Sequence, residues 1–314
     1  MKRKALIISI KGIKLTSKEK LLISKEKPWG LILFKRNIKS FNQVKNLIHK
    51  VKKISKDNKF PILIDEEGAN VSRLSNIINH DFSANDFGKF FLNNPKIGTQ
   101  IYRTYLNSIC DKLKEIGINI NTIPVLDVLK KNTNKIIGKR SFSNNKEIVK
   151  KLGNLTVEQC NLNKIGCVAK HIPGHGSATS DSHLKMPKVR LSKNKLEEID
   201  FYPFKSNPAK FAMTAHILYT KIDNKNVTTF SKKVIKKIIR GKIGFKGVLI
   251  SDDISMKALK FDLITNAKKS LEAGCNLVLY CAGNINDNFK LVKSIPFIDK
   301  FTSKKTSEFY KFLR

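Results

Sequence analysis

Short apolar runs recur along the chain at residues 5–10, 31–34, 62–64, 118–125, 167–169, 211–213, 248–250 and 277–280. Apolar positions that continue without alternating with polar ones are the habit of strands buried on both faces, as in a parallel sheet covered by helices. The pattern therefore predicts about eight strands. Between them the period changes to that of an amphipathic helix. From Ser40 onward, Phe41, Val44, Leu47, Ile48, Val51 and Ile54 fall on one stripe, and Ser40 with Gln43 has the spacing of a capping box. Further helices are predicted over 101–116, 147–165, 232–239 and 263–273. Gly117, Gly166, Gly244 and Gly274 each stand between a predicted helix and the strand after it, where a glycine at positive φ can stop the helix.

Repeated strand-helix units in 314 residues match the size of a closed (β/α)8 barrel, although an open doubly wound sheet has the same local signals. Polar groups decide between them. Asp65-Glu66-Glu67-Gly68, Lys170-His171, Thr214-Ala215-His216 and Ser251-Asp252-Asp253 each follow a predicted strand on its carboxyl side. In a barrel these ends meet at one mouth. No Gly-x-Gly-x-x-Gly follows the first strand, which removes the main support for a dinucleotide fold. No Pro/Gly/Ser-rich linker divides the chain. The expectation is an α/β protein, a single-domain (β/α)8 TIM barrel over residues 1–314 with room for one irregular or incomplete strand.

A hydrophobic content of 41% supports a full core. The opening Met1-Lys2-Arg3-Lys4 and the apolar residues 5–10 mimic a signal peptide, but the run stops at Lys11 without a small-residue cleavage site. No apolar run approaches the roughly 18 residues of a membrane span. Five scattered cysteines without a Cys-x-x-Cys pair suggest neither disulfides nor a zinc knuckle, so a soluble protein of the reducing cytoplasm is expected. The formal charge of +36 would point to nucleic acid or an anionic surface, but only eight of 61 basic residues are Arg and the lysines spread along the whole chain. Without a helix-turn-helix, zinc finger or RNP-type aromatic motif, nucleic acid is not expected as the primary partner. The charge can still attract small anionic substrates.

Residues 170–183 hold three of the six histidines, with Pro173, Gly174 and Gly176 preventing a regular element. Asp181 and His183, two apart, can form a pair in which the carboxylate orients the imidazole for acid/base work near neutral pH. Asp252, at the end of a buried strand, suits a nucleophile, a metal ligand or a stabiliser of positive charge. Metal hydrolysis competes, since His171, His175, His183, His216 and Asp252 are all ligand types. Against it, the first strand lacks a His-x-His pair and Lys170 puts a cation beside His171. A Schiff base on Lys170 would leave Asp181, His183 and Asp252 unexplained together. A polybasic RNA- or surface-binding protein on a degenerate barrel is a further reading.

Residues 170–176 (Lys-His-Ile-Pro-Gly-His-Gly), Asp181-Ser182-His183 and residues 251–256 (Ser-Asp-Asp-Ile-Ser-Met) closely resemble the signature of bacterial β-N-acetylhexosaminidases of glycoside hydrolase family 3. The segments 30–37, 65–68 with Arg73, 124–127, 138–142 and 213–216 follow the same family in order. The resemblance implies a cytoplasmic TIM barrel that removes terminal β-linked N-acetylglucosamine from muropeptides during peptidoglycan recycling, with no cofactor and no metal. It implies Asp252 as nucleophile, His183 with Asp181 as the acid/base dyad, and Asp65, Arg73, Arg140, Lys170 and His171 as the groups that hold the sugar. Ala69, Asn70, Lys139 and Ser177 depart from the family pattern.

Overall fold

A computed structural model describes residues 2–182 and 185–314. Its barrel strands are β1 (Lys4–Ile8), β2 (Pro28–Leu33), β3 (Ile62–Ile64), β4 (Ile120–Asn121), β5 (Gly166–Ile172), β6 (Phe211–Thr214), β7 (Val248–Asp253) and β8 (Leu277–Leu279). Neighbours in sequence pair in parallel and β8 closes on β1, through Leu6 opposite Val278 and Ile7 opposite Leu279. The expected (β/α)8 barrel is thus present. Leu6, Ile8, Leu31, Leu33, Leu63, Val168, Ala212 and Ile250 are buried, because inward and outward positions alike are covered.

The irregular strand is β4. Its expected span of 118–125 shrinks to two paired residues, since Pro124 has no N–H for the ladder and the Asn121 side chain bonds the Glu66 backbone instead. Pairing resumes beyond Pro124, where Lys170 N donates to Pro124 O and Leu126 N to Lys170 O. A separate two-stranded ribbon, Lys188–Val189 beside Leu218–Tyr219, lies outside the barrel.

The helix Phe41–Ser55 buries Val44, Leu47, Ile48 and Val51 as its stripe predicts. Ser40 accepts from Gln43 N, but the Gln43 side chain reaches back to Lys39 N rather than to Ser40. The helix predicted over 101–116 starts earlier, at Pro95–Ile116, where Asn94 caps the end and Pro95 occupies the first turn. The segment 232–239 forms a wide-turned helix, Val234–Lys242. Gly117, Gly244 and Gly274 have the expected positive φ. Gly166 does not: the helix Lys146–Leu162 ends earlier, Lys164 takes the positive φ, and Gly166 begins β5. A side chain at Gly166 would put its Cβ 2.8 Å from the Phe309 ring.

That ring belongs to the helix Lys300–Phe312, which closes the amino-terminal end of the barrel. Phe309 packs on Phe211 with ring centroids 5.1 Å apart, Phe211 packs on Trp29, and Trp29 Nε1 donates to Thr306 Oγ1. With this end plugged by apolar rings, open polar space is left to the carboxyl end. Among the described residues no helix is long and apolar enough to cross a membrane.

Candidate active site

A cavity of about 300 Å3 opens at the carboxyl ends of the strands. Asp65, Glu67, Arg73, Arg140, Lys170, His171, His175, Ser182, Asp252 and Cys281 all line it, so groups from five parts of the chain face one space. Of the residues singled out in the sequence, Asp65, Arg73, Arg140, Lys170, His171 and Asp252 come together here. Asp181 is half-buried on the same loop but is not among the lining residues. His183 lies outside the described residues.

Lys170, nearly buried at the end of β5, is the hub of the charge network. Its Nζ lies 2.6 Å from Glu67 Oε1, 3.2 Å from Asp65 Oδ1 and 2.8 Å from Thr122 Oγ1, and Thr122 also donates to Asp65. Arg73 Nη2 donates to Asp65 Oδ2 at 3.0 Å, while Arg140 grips Glu67 with two bonds, Nε to Oε2 at 2.7 Å and Nη2 to Oε1 at 2.9 Å. Burial pushes the Glu67 carboxyl up, but Arg140 and Lys170 outweigh it and hold the group at about 2. Burial likewise opposes ionisation of Asp65, and Lys170 and Arg73 hold it well below the ordinary carboxylate range. The result is a rigid rim of ionised groups with N–H donors and carboxylate acceptors in fixed directions, suited to a ligand rich in hydroxyl groups.

His171 is oriented from behind. Asp127, fully buried, accepts from His171 Nδ1 at 2.7 Å through one oxygen and from the His175 backbone N–H at 2.6 Å through the other. Burial raises the Asp127 carboxyl, and His171 and His175 bring it below its ordinary value. His175 is pushed down to about 4, chiefly by burial, and is therefore neutral at pH 7. His216 Nε2 points at the Asp253 carbonyl, 3.0 Å away, and must donate to it, while Nδ1 lies 2.7 Å from Thr229 Oγ1.

Asp252 differs from the other two acids of the cavity. Among the described residues it makes no ion pair, and one oxygen accepts from the Asp253 backbone N–H at 2.7 Å. Burial favours its neutral form, but the adjacent His216 and His171 overcome that and hold it below the ordinary range. An ionised carboxylate with an oxygen that no cation among the described residues claims is chemically a nucleophile or a stabiliser of an adjacent cation. Asp253 takes the opposite course, raised by burial.

Sequence reading assigned no role to Glu67, Thr122 or Asp127, although Glu67 and Asp127 stand within the quoted segments 65–68 and 124–127. Cys281 carried no signal. It enters the cavity because β8 ends there, and burial pushes its thiol well above the ordinary value. Among the described residues no three His, Cys, Asp or Glu side chains converge as a metal site. Of the departures, Ala69, Asn70 and Lys139 are exposed, whereas Ser177 bonds the buried Asp200 through both its N–H and its hydroxyl.

Residues 3–300 match the Glycosyl hydrolase family 3 N terminal domain. The chain is 31% identical over 294 residues to a Beta-hexosaminidase of Shewanella frigidimarina (strain NCIMB 400), spanning 92% of this chain and 85% of that protein. It is 32% identical over 303 residues to a Beta-hexosaminidase of Neisseria meningitidis (serogroup A / serotype 4A), spanning 92% and 82%. In structure it is similar to NagZ from Neisseria gonorrhoeae, solved in complex with N-trifluoroacetyl-D-glucosamine, with TM-score 0.88, 28% identity, and 100% and 91% of the two chains covered.

Proposed function

Because the chain belongs to glycosyl hydrolase family 3, we propose that residues 1–314 act as one catalytic domain that removes terminal β-linked N-acetylglucosamine from muropeptide fragments in the cytoplasm, with retention at the anomeric carbon. The coarser statement is that the enzyme is a glycosidase, a β-N-acetylhexosaminidase. The finer reading is carried by one observation: an ionised Asp252 that makes no ion pair among the described residues faces the same cavity as Lys170, His171, Asp65, Arg73 and Arg140.

In the first step an Asp252 carboxylate oxygen attacks the anomeric carbon. The bond from that carbon to the leaving oxygen breaks, and the His183 imidazolium gives its proton to that oxygen. A glycosyl ester on Asp252 results. In the second step neutral His183 takes a proton from water as the water attacks the anomeric carbon, and Asp252 leaves as carboxylate. Asp181 holds the imidazole in orientation for both transfers. Retaining glycosidases ordinarily use two carboxyl groups about 5 to 5.5 Å apart. An imidazole in the second position is neutral once its proton has left, which avoids like-charge repulsion with Asp252. Asp65, Arg73, Arg140, Lys170 and His171 hold the sugar hydroxyls; Asp65 pairs with Arg73 and Lys170, Glu67 grips Arg140 and Lys170, and Asp127 bonds His171, which keeps them in place before substrate arrives.

The test compares an aryl β-N-acetylglucosaminide with the matching β-glucoside, with and without chelator. The N-acetyl substrate is cleaved and the glucoside poorly, with no loss to chelator. Asp252→Ala abolishes turnover, and His183→Ala slows it by about 10² to 10⁴. Full activity in Asp252→Ala would overturn the assignment of the nucleophile, and equal rates on the two sugars would overturn the substrate.

A further inference from the structure

Between β3 and the helix Ala84–Asn93 the chain runs through residues 65–83 without a helix or a barrel strand, yet Asp65, Glu67 and Arg73 of the sugar cavity all stand on it. Its own backbone ties are few. Glu67 N donates to Val71 O and Val71 N to Gly68 O in one tight turn, and Ile77 N and Ile78 N donate to Leu74 O in another. Arg73 stands between the two turns. Every backbone N–H in so buried a setting needs an acceptor, and that of Arg73 finds its acceptor in a side chain.

That side chain is Glu66, whose carboxyl group is fully buried and does not line the cavity. One oxygen, Oε2, accepts from Arg73 N at 2.9 Å and from Leu74 N at 2.8 Å, so it holds two successive N–H groups. The other faces His80, at the far end of the same segment. His80 Nε2 lies 2.6 Å from Glu66 Oε1, at ion-pair distance though out of line for a hydrogen bond. The His80 ring is itself nearly buried, and its Nδ1 lies 2.9 Å from the hydroxyl of Tyr105 on the helix Pro95–Ile116. On the main-chain side, Glu66 N donates to Asn121 Oδ1 and Asn121 Nδ2 to Glu66 O, which ties the residue to β4. A buried carboxyl group is costly unless its acceptors are used, and here they are spent on fixing one stretch of backbone.

We propose that Glu66, backed by His80 and Tyr105, is the positioning residue that sets Arg73 in the sugar cavity. The inference rests on the reading above that Arg73 holds a sugar hydroxyl. At its tip Arg73 donates to Asp65 Oδ2 at 3.0 Å and its guanidinium lies 5.2 Å from the centre of the Phe34 ring. Those contacts hold the tip alone. An arginine has much rotamer freedom to lose, and one ion pair at a partly exposed rim offsets little of it, so the guanidinium keeps its direction only if its own backbone is fixed. Glu66 supplies that fixation without touching the sugar, and its effect falls on substrate binding and not on bond breaking.

The experiment uses the full chain and an aryl β-N-acetylglucosaminide, and crosses Glu66→Ala, Glu66→Gln, His80→Gln and Tyr105→Phe with Arg73→Ala in double-mutant cycles. Arg73→Ala alone raises KM by about tenfold to a hundredfold, the size of a lost hydrogen bond from a charged group, and moves kcat little. Glu66→Ala raises KM about tenfold in the wild-type background but less than about twofold on top of Arg73→Ala, because the group it positions is already gone. Glu66→Gln recovers most of the loss: its amide oxygen still takes both N–H groups, and its amide N–H can turn to His80 Nε2. His80→Gln and Tyr105→Phe give the same non-additive rise in KM at smaller size, and they carry the test if Glu66→Ala does not fold. A Glu66 that only stabilises the fold behaves differently. Losses that add to those of Arg73→Ala, that fall on kcat as much as on KM, or that are as large in Glu66→Gln as in Glu66→Ala overturn the inference. If Arg73→Ala leaves KM unchanged, the failure is that of Arg73 as a sugar-holding group, and its positioning falls with it.

Discussion

Glu67 has no direct claim on chemistry, yet it is gripped by Arg140 and Lys170 in a nearly dry setting. Glu67→Gln keeps the shape and removes the charge, leaving two buried cations short of a partner. Breaking a buried pair in this way costs about 3 to 5 kcal/mol, measurable as a lower urea midpoint. Lys170 also loses the nearest of its three partners, so kcat/KM falls along with stability. Glu67 was hidden in the sequence because its partners are distant: Arg140 is 73 residues away. Asp65 and Lys170, 105 residues apart, were legible because each follows a buried strand, where a charge needs a reason to stand. Asp127 had the same kind of signal, but its work is done from behind His171, and only the fold puts it there.

The glycines of the loop after β5 read in sequence as residues that prevent a regular element. Gly174 fits that reading with φ of +140°, whereas Gly176 is a point of close packing: a Cβ there would lie 2.0 Å from Val128 O. Gly176→Ala must therefore push the loop off the segment after β4, at a cost of about 1 to 3 kcal/mol. Gly12→Ala, which meets nothing within 4 Å, leaves the thermal midpoint unchanged and serves as the control. The contrast between the two glycines explains what local pattern can carry. Gly117, Gly244 and Gly274 were legible as helix stops because φ is a local property. Gly166 and Gly176 answer to atoms of Phe309 and Val128, far along the chain, and no spacing announces that. The shortened β4 has an intermediate status: Pro124 is visible, but the Asn121 side chain that replaces the ladder is engaged with Glu66 across the barrel.

For the whole molecule, the acids of the cavity set the response to pH. Glu67 is lowered from 4.5 to about 2, and Asp65, Asp127 and Asp252 are also lowered, so the unfolded chain binds these protons first as pH falls. Their stabilisation is complete above the unfolded values and is lost on acidification through the folded ones. His175, lowered from 6.5 to about 4 mainly by burial, acts with the same sign in a higher window: the unfolded chain takes up its proton first, and stability declines between pH 6.5 and 4. Asp253, raised by burial, opposes them weakly. The thermal midpoint consequently falls from pH 7 toward pH 3, and His175→Gln flattens the part of the curve between 6.5 and 4. A midpoint that rises on acidification would contradict these environments. The sequence alone determined that the chain is a ring of strand-helix units with polar strand ends, because periodicity, helix stops and buried apolar runs are short-range consequences of backbone geometry. Which acids are bound by cations, and which among the described residues makes no ion pair, were decided only when closure of the barrel brought residues from distant parts of the chain within a few ångströms, the range over which ion pairs and desolvation act.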